Sequence, residues 1–251
     1  TTSDEAAPTH TYEEEGQYTV VLTVTDEEGA TGVATTSVTA GNSQPDVSFD
    51  APQDGQYFHW GDEIPFEAAV EDAEDGSIGD GIDCDDVEVT SSLGHDDHAH
   101  PWTQYDSCEG VTETETDGGH GHDMNIFWVL QAEYTDSGAG DAPPLTGSDG
   151  LRLNPARTQA QYFSDSENVA TESTEDDEGG LVNLTGIQDG SWTSYDPVHF
   201  SGVEEMEFRV ASSGSGGTIE ARQDSPDGDV LGTVDVESTG GGQDWELSLI
   251  H

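Results

Sequence analysis

The stretch Tyr18-Thr-Val-Val-Leu-Thr-Val-Thr-Asp-Glu-Glu-Gly-Ala-Thr-Gly-Val-Ala-Thr-Thr-Ser-Val38 decides the fold class. Tyr18, Val20, Leu22 and Val24 fall on alternate positions, the period of a strand with one apolar face. Asp26-Glu27-Glu28-Gly29 has turn composition, and Val33 to Val38 returns as the partner strand. The same style runs outward through the chain. Apolar residues alternate, Thr and β-branched residues are abundant, and Gly, Asp, Pro or Asn interrupts roughly every ten residues. Helix signals are nearly absent. The pattern predicts an all-β protein, and 251 residues have room for two to three sandwich domains.

Charge narrows the partners. There are 55 acidic and 4 basic residues, a formal net charge of −51. Nucleic acid and anionic lipid are themselves polyanions, so no nucleic-acid partner is expected. No apolar run approaches the roughly 18 residues a membrane helix needs, so no membrane insertion is expected. Lysine is absent, and the basic residues are Arg152, Arg157, Arg209 and Arg222. In molar salt the Debye length falls to roughly 3 Å and screens the self-repulsion of such a chain. The composition reads as that of a halophilic, haloarchaeal exported protein. High charge also accompanies disorder, but five Trp, seven Tyr and seven Phe stand in strand-like patterns. Thr171 to Gly180 is the expected exception, a solvated acidic loop.

Three units follow. In residues 1–41 the run from His10 to Ala30 joins an aromatic residue, an acidic pair, Gly, a second aromatic, an alternating strand and then T-D-x-x-G. It resembles the C-terminal half of a PKD domain, a small immunoglobulin-like sandwich. In residues 42–155, Val47, Phe49, the turn Pro52-Gln-Asp-Gly55, Phe58, Gly61-Asp62, Ile64, Phe66, Ala68 and Val70 resemble a bacterial or archaeal immunoglobulin-like repeat. Further strands are expected at Val87–Val89, Ile126–Leu130, Ala132–Tyr134 and Gly150–Leu153, with closure near Pro155. In residues 156–251, the runs Gly186-Ile-Gln-Asp-Gly-Ser-Trp-Thr-Ser-Tyr195, Glu207-Phe-Arg-Val-Ala-Ser212, Gly217-Thr-Ile-Glu-Ala-Arg222 and Thr239-Gly-Gly-Gly-Gln-Asp-Trp245 resemble a family 6 carbohydrate-binding module. The expected architecture is immunoglobulin-like sandwiches followed by a jelly-roll β-sandwich, truncated at its C-terminus, with a half-domain at the other end.

The family 6 resemblance implies a cleft in which aromatic rings grip a sugar. Those aromatics would stand at positions 186 and 242, and both are Gly here. The resemblance also implies a structural calcium held by an acidic pair, where this chain has Gln159 and Gln161; neutral amides are weaker ligands for a hard cation. Trp192, Tyr195 and Trp245 remain as carbohydrate-binding candidates beside Phe208, with packing inside the sandwich as their more ordinary role. Asn183-Leu-Thr185 is a glycosylation sequon in an exported protein.

Cys84 and Cys108 predict a disulfide in an exported chain, closing a loop worth roughly 3 kcal/mol; two thiolate metal ligands are the alternative. Five of nine histidines lie within 28 residues, in Leu93-Gly-His-Asp-Asp-His-Ala-His-Pro101 and Gly119-His-Gly-His-Asp123. His98 and His100 share a strand face, as do His120 and His122. His95, His98, His100, His120, His122 and Asp123 exceed the four ligands of a Zn or Cu ion, and the disulfide is expected to hold the two loops together. The plain alternative is a pair of solvated polar loops. The middle block, L-G-H-D-x-H-x-H-P through A-x-Y-T-D, resembles a domain that follows glucose/sorbosone-dehydrogenase-like or trehalose-utilisation-like domains and PKD repeats in multidomain extracellular proteins.

No nucleophile elbow, P-loop, dinucleotide fingerprint or H-E-x-x-H occurs. The expected function is a non-catalytic accessory region of an extracellular or cell-surface carbohydrate-active protein, with a polysaccharide or surface glycan as partner. Two alternatives stand beside it. One is a structural protein that self-associates into a fibre or sheath through unpaired strand edges. The other is a metal-binding module built on the histidine clusters.

Overall fold

The computed structural model describes residues 1–115 and 124–250. Residues 1–41 form a hairpin of β1 (Gly16–Thr25) and β2 (Thr31–Ala40). Tyr18 pairs with Val38 and Leu22 with Ala34, so the alternating row lies on one face. The turn closes by Gly29 N donating to the Asp26 carbonyl and Ala30 N to Asp26 Oδ1. Val20, Leu22 and Val24 stay exposed, at 38, 60 and 60%.

The middle unit runs β3 (Asp46–Ala51), β4 (Tyr57–Phe58), β5 (Glu63–Asp72), β6 (Gly76–Ile78), β7 (Gly81–Ile82), a 3-10 turn (Cys84–Asp86), β8 (Glu88–His95), β9 (His98–Asp106), β10 (Glu109–Glu113), β11 (Ile126–Thr135) and β12 (Thr146–Pro155). One sheet has the order β10-β5-β6-β7 with β3 also on β5; the other has the order β4-β12-β11-β8-β9. Alternation sets the core. Ile64, Phe66, Ala68 and Val70 on β5 join Val89 and Leu93 on β8 and Trp128, Leu130, Ala132 and Tyr134 on β11 in one buried cluster. The expected strands at 126–130 and 132–134 are one strand, since Gln131 simply points outward. Cys84 and Cys108 are disulfide-bonded, which decides against thiolate ligands. Cys108 is buried, and its amide also donates to the Cys84 carbonyl at 2.9 Å.

The third unit holds β13 (Asp165–Glu167), β14 (Ala170–Ser173), β15 (Val182–Thr185), β16 (Trp192–Ser194), β17 (Met206–Ala211), β18 (Gly217–Arg222), β19 (Val230–Val236) and β20 (Trp245–Ile250). They pair as β13-β16, β14-β15, β17-β20 and β18-β19, all antiparallel. Among the described residues from Ala156 onward, none is buried to the degree of the middle core. The acidic tract at 171–180 is more ordered than its composition suggests. Its first residues are strand β14, and Asp176, 5% exposed at its side chain, is gripped by the Arg209 guanidinium. That pair holds the Asp176 carboxyl below the usual carboxylate range, chiefly through the Arg209 hydrogen bond.

The middle and third units meet at Gly55. Its carbonyl accepts from His199 N at 2.9 Å, and Asn154 Nδ2 bridges the carbonyls of Gly55 and Pro197. A side chain at 55 would place Cβ 2.6 Å from Val198 N, and φ there is +80°, so only Gly fits.

Candidate functional site

The histidines at the tip of the β8–β9 hairpin form the most concentrated group of ligand atoms. β8 ends at His95 and β9 begins at His98, joined by Asp96-Asp97. Asp96 takes φ of +53°, which a two-residue hairpin turn of this twist demands and Asp tolerates. The turn is tied to β11: Asp96 N donates to the Asn125 carbonyl at 2.9 Å and Asn125 N donates to Asp96 Oδ1 at 3.3 Å.

Register brings the side chains together. His95 pairs with His98 and Leu93 with His100. On β8 the residues Val89, Leu93 and His95 share the core-facing side, so His95 continues the core row to the end of the sheet. On β9, Tyr105 pairs with Val89 and packs on Phe66, so it too faces inward. Strict alternation from Tyr105 would then turn His98 and His100 outward. The register shifts by one residue between Ser91 and Ser92, where Thr103 and Pro101 are successive partners and Trp102 is the extra residue. This β-bulge reverses the facing and puts His98 and His100 on the side of His95.

One nitrogen from each of His95, His98 and His100 lies within 4.8 Å of the others. His95 Nε2 and His100 Nε2 are 3.2 Å apart, and the three ring centroids are separated by 4.1 to 5.2 Å. His95 is buried, while His98 and His100 are exposed. Carboxylates flank the outer nitrogens: Asp97 Oδ1 is 3.1 Å from His98 Nδ1, and Asp96 Oδ2 is 3.7 Å from His95 Nδ1. No other grouping of three His, Cys, Asp or Glu ligands comes this close among the described residues. His120, His122 and Asp123 lie outside the described residues. The disulfide is not what brings His95, His98 and His100 together. Cys84 precedes β8 and Cys108 follows β9, so the bond sits at the base of the hairpin, roughly 25 Å of strand from the tip.

In the third unit, Trp192 stands on β16 with Nε1 donating to Glu167 Oε2 at 3.1 Å. Tyr195 is 38% exposed and its hydroxyl donates to the Ala160 carbonyl at 2.8 Å. Partial burial pushes the Tyr195 phenol above its ordinary pKa. Trp245 on β20 donates from Nε1 to Gln243 Oε1 at 3.2 Å. All three therefore lie at partly open positions rather than inside a core. Asn183 on β15 has its amide engaged, Nδ2 donating to the Leu184 carbonyl and Oδ1 accepting from Gln243 Nε2.

Residues 159–248 match the family described as carbohydrate binding module (family 6), and residues 1–40 match the PKD domain. The chain carries a family 6 carbohydrate-binding module. An arabinoxylan arabinofuranohydrolase of Bacillus subtilis (strain 168) is 40% identical over 99 residues, 37% of this chain and 19% of that protein. The clotting factor G alpha subunit of Tachypleus tridentatus is 39% identical over 89 residues, 35% of this chain and 13% of that protein. A solved β-1,3-glucan-binding CBM6 from Bacillus halodurans is 42% identical and covers 37% of this chain and 69% of its own, with a TM-score of 0.34. The chain thus spans under a fifth of the curated relatives it matches. Modules of this kind are non-catalytic, and the region is a carbohydrate-binding one. No helix among the described residues is long and apolar enough to cross a membrane.

Within the family 6 module the two glycines differ. Gly186 has φ of +70°, a conformation costly for an aromatic residue. Gly242 has an ordinary φ, and a Cβ there would meet nothing within 4 Å. Sequence reasoning missed the bulge at Trp102 and the Asp176–Arg209 pair. The first has no local sequence signal. The second was hidden because one Asp among many acids carries no mark of burial.

Proposed function

We propose that this chain is a non-catalytic, extracellular accessory region that holds a larger carbohydrate-active or cell-surface protein against polysaccharide through residues 156–251. The match of residues 159–248 to the family 6 module carries this reading. Relatives that include an arabinoxylan-directed hydrolase and a β-1,3-glucan-binding module make β-linked polysaccharides the substrate class to try first. The excess of acid over base suits neutral glycans, which impose no charge repulsion. Trp192, Tyr195 and Trp245 are the aromatic faces available. A haloarchaeal source accords with the lysine-free, acidic composition.

Co-sedimentation of the full chain with insoluble β-1,3-glucan, arabinoxylan and cellulose in molar salt tests the reading. Saturable retention on at least one, abolished by the soluble oligosaccharide, is the expected result. Retention on none of a broad neutral panel would overturn it.

Self-association is a second reading, favoured by the exposed row Val20, Leu22 and Val24 on a hairpin that pairs with no further strand among the described residues. Light scattering across a concentration series should then give a mass above the monomer that falls with Leu22→Glu.

A further inference from the structure

We infer that His95, His98 and His100 form a binding site for one divalent transition-metal ion of the zinc or copper class, with its remaining coordination positions open to solvent.

Spacing is the first argument. Two nitrogens bound to a tetrahedral ion at about 2.0–2.1 Å lie about 3.3–3.4 Å apart. The Nε2 atoms of His95 and His100 are already 3.2 Å apart, and the third ligand is within 4.8 Å of both.

Orientation is the second. Asp97 accepts from His98 Nδ1 at 3.1 Å, which places the ring proton on Nδ1 and leaves the Nε2 lone pair for an ion. A carboxylate behind the imidazole is the usual outer support of metal-binding histidines. With Asp96 and Asp97 at the tip, the local charge favours a cation.

The third argument is the scaffold. The bulge at Trp102 turns His98 and His100 toward His95, and the Asn125–Asp96 bonds fix the turn. Bulges recur where a strand must re-aim side chains at a site. Solvated loop histidines need no such device. Imidazole donors suit Zn and Cu and poorly suit Ca or Mg, which take oxygen ligands. Three histidines with an open position form the ligand set of an exchangeable site rather than a closed structural one.

The test uses the full chain without a polyhistidine tag, in molar NaCl. Zinc and copper are titrated by calorimetry, and bound metal is counted by elemental analysis after dialysis. One equivalent is expected, and Cu(II) should show nitrogen hyperfine coupling in its EPR spectrum. H98Q/H100Q should weaken binding by at least about 100-fold, beyond what loss of a supporting partner alone costs. Both positions are exposed, so the variant should fold; near-UV circular dichroism verifies that. Asp97→Asn, which keeps the ligands, should weaken binding by a smaller factor, about 10-fold. Stoichiometric binding unchanged in H98Q/H100Q, or no nitrogen coupling in wild type, would overturn the assignment. So would an affinity for Ca equal to that for Zn, since carboxylates alone would then explain it.

Discussion

Removing the Cys84–Cys108 bond is a perturbation whose size can be worked from the fold. The cysteines are 24 residues apart and enclose the β8–β9 hairpin. For a loop of about 25 residues the chain-entropy relation gives about −12 cal/mol/K, or about 3.5 kcal/mol at room temperature. The native position of the two segments does not depend on the sulfurs alone. Cys108 N donates to the Cys84 carbonyl, and Ala68 N donates to the Cys108 carbonyl at 2.7 Å. The bond therefore acts mainly on the unfolded chain, and the folded middle unit should persist without it. In C84A/C108A the small void at buried Cys108 adds about 1 kcal/mol. Guanidinium chloride unfolding is the suitable assay, because the denaturant is itself a salt and keeps the −51 charge screened. Buried Trp128 reports on the middle unit by fluorescence. With a slope of about 3 kcal/mol per molar, the midpoint should fall by more than about 1 M. Zinc affinity at the hairpin tip should not change, because the bond lies at the opposite end. A midpoint shift under about 0.3 M would refute the loop-entropy reasoning. A parallel loss of zinc binding would refute the placement of the bond as independent of the tip.

Two further outcomes follow from other sites. Asp75 accepts from Ser137 Oγ at 2.6 Å, Ser137 N at 2.8 Å and the Tyr134 hydroxyl at 2.8 Å, and these bonds, the Ser137 hydroxyl first, hold its carboxyl below the ordinary value. A depressed folded pKa gives stability that is full above the unfolded value near 3.9 and is lost as pH falls through the folded one. Asp75→Asn should thus cost about 1–2 kcal/mol at pH 7, and the gap to wild type should narrow only as pH falls below the unfolded value near 3.9 and through the lower folded one; a gap that narrows already above the unfolded value, or does not narrow at all in acid, would contradict the assignment. Gly242→Trp adds a stacking face where nothing blocks it. A gain of about 0.5–1.5 kcal/mol should tighten polysaccharide retention about two- to thirteenfold, whereas unchanged retention would place the sugar cleft elsewhere.

Alternation of apolar residues settled much of this protein in advance. Ile64, Phe66, Ala68 and Val70 declare a strand with one buried face whatever the strand packs against, because side-chain direction along a strand is a local property. The strands of the middle unit, the Cys84–Cys108 bond and the family 6 character of residues 159–248 were legible in the sequence as well. Residues 18–38 likewise gave a hairpin.

Other features arise only when strands meet. Six metal-ligand candidates stood on equal terms in the sequence, and a disulfide was expected to gather them. Among the described residues the fold brings His95, His98 and His100 together, because they share a hairpin tip and because one extra residue, Trp102, turns β9 over between Tyr105 and His100. A bulge is a mismatch between two strands, so neither strand's sequence encodes it alone. The burial of Asp176 beneath Arg209 has the same origin. Composition marked that tract as solvated, and only a contact with a residue 33 positions away distinguishes one carboxylate from its neighbours.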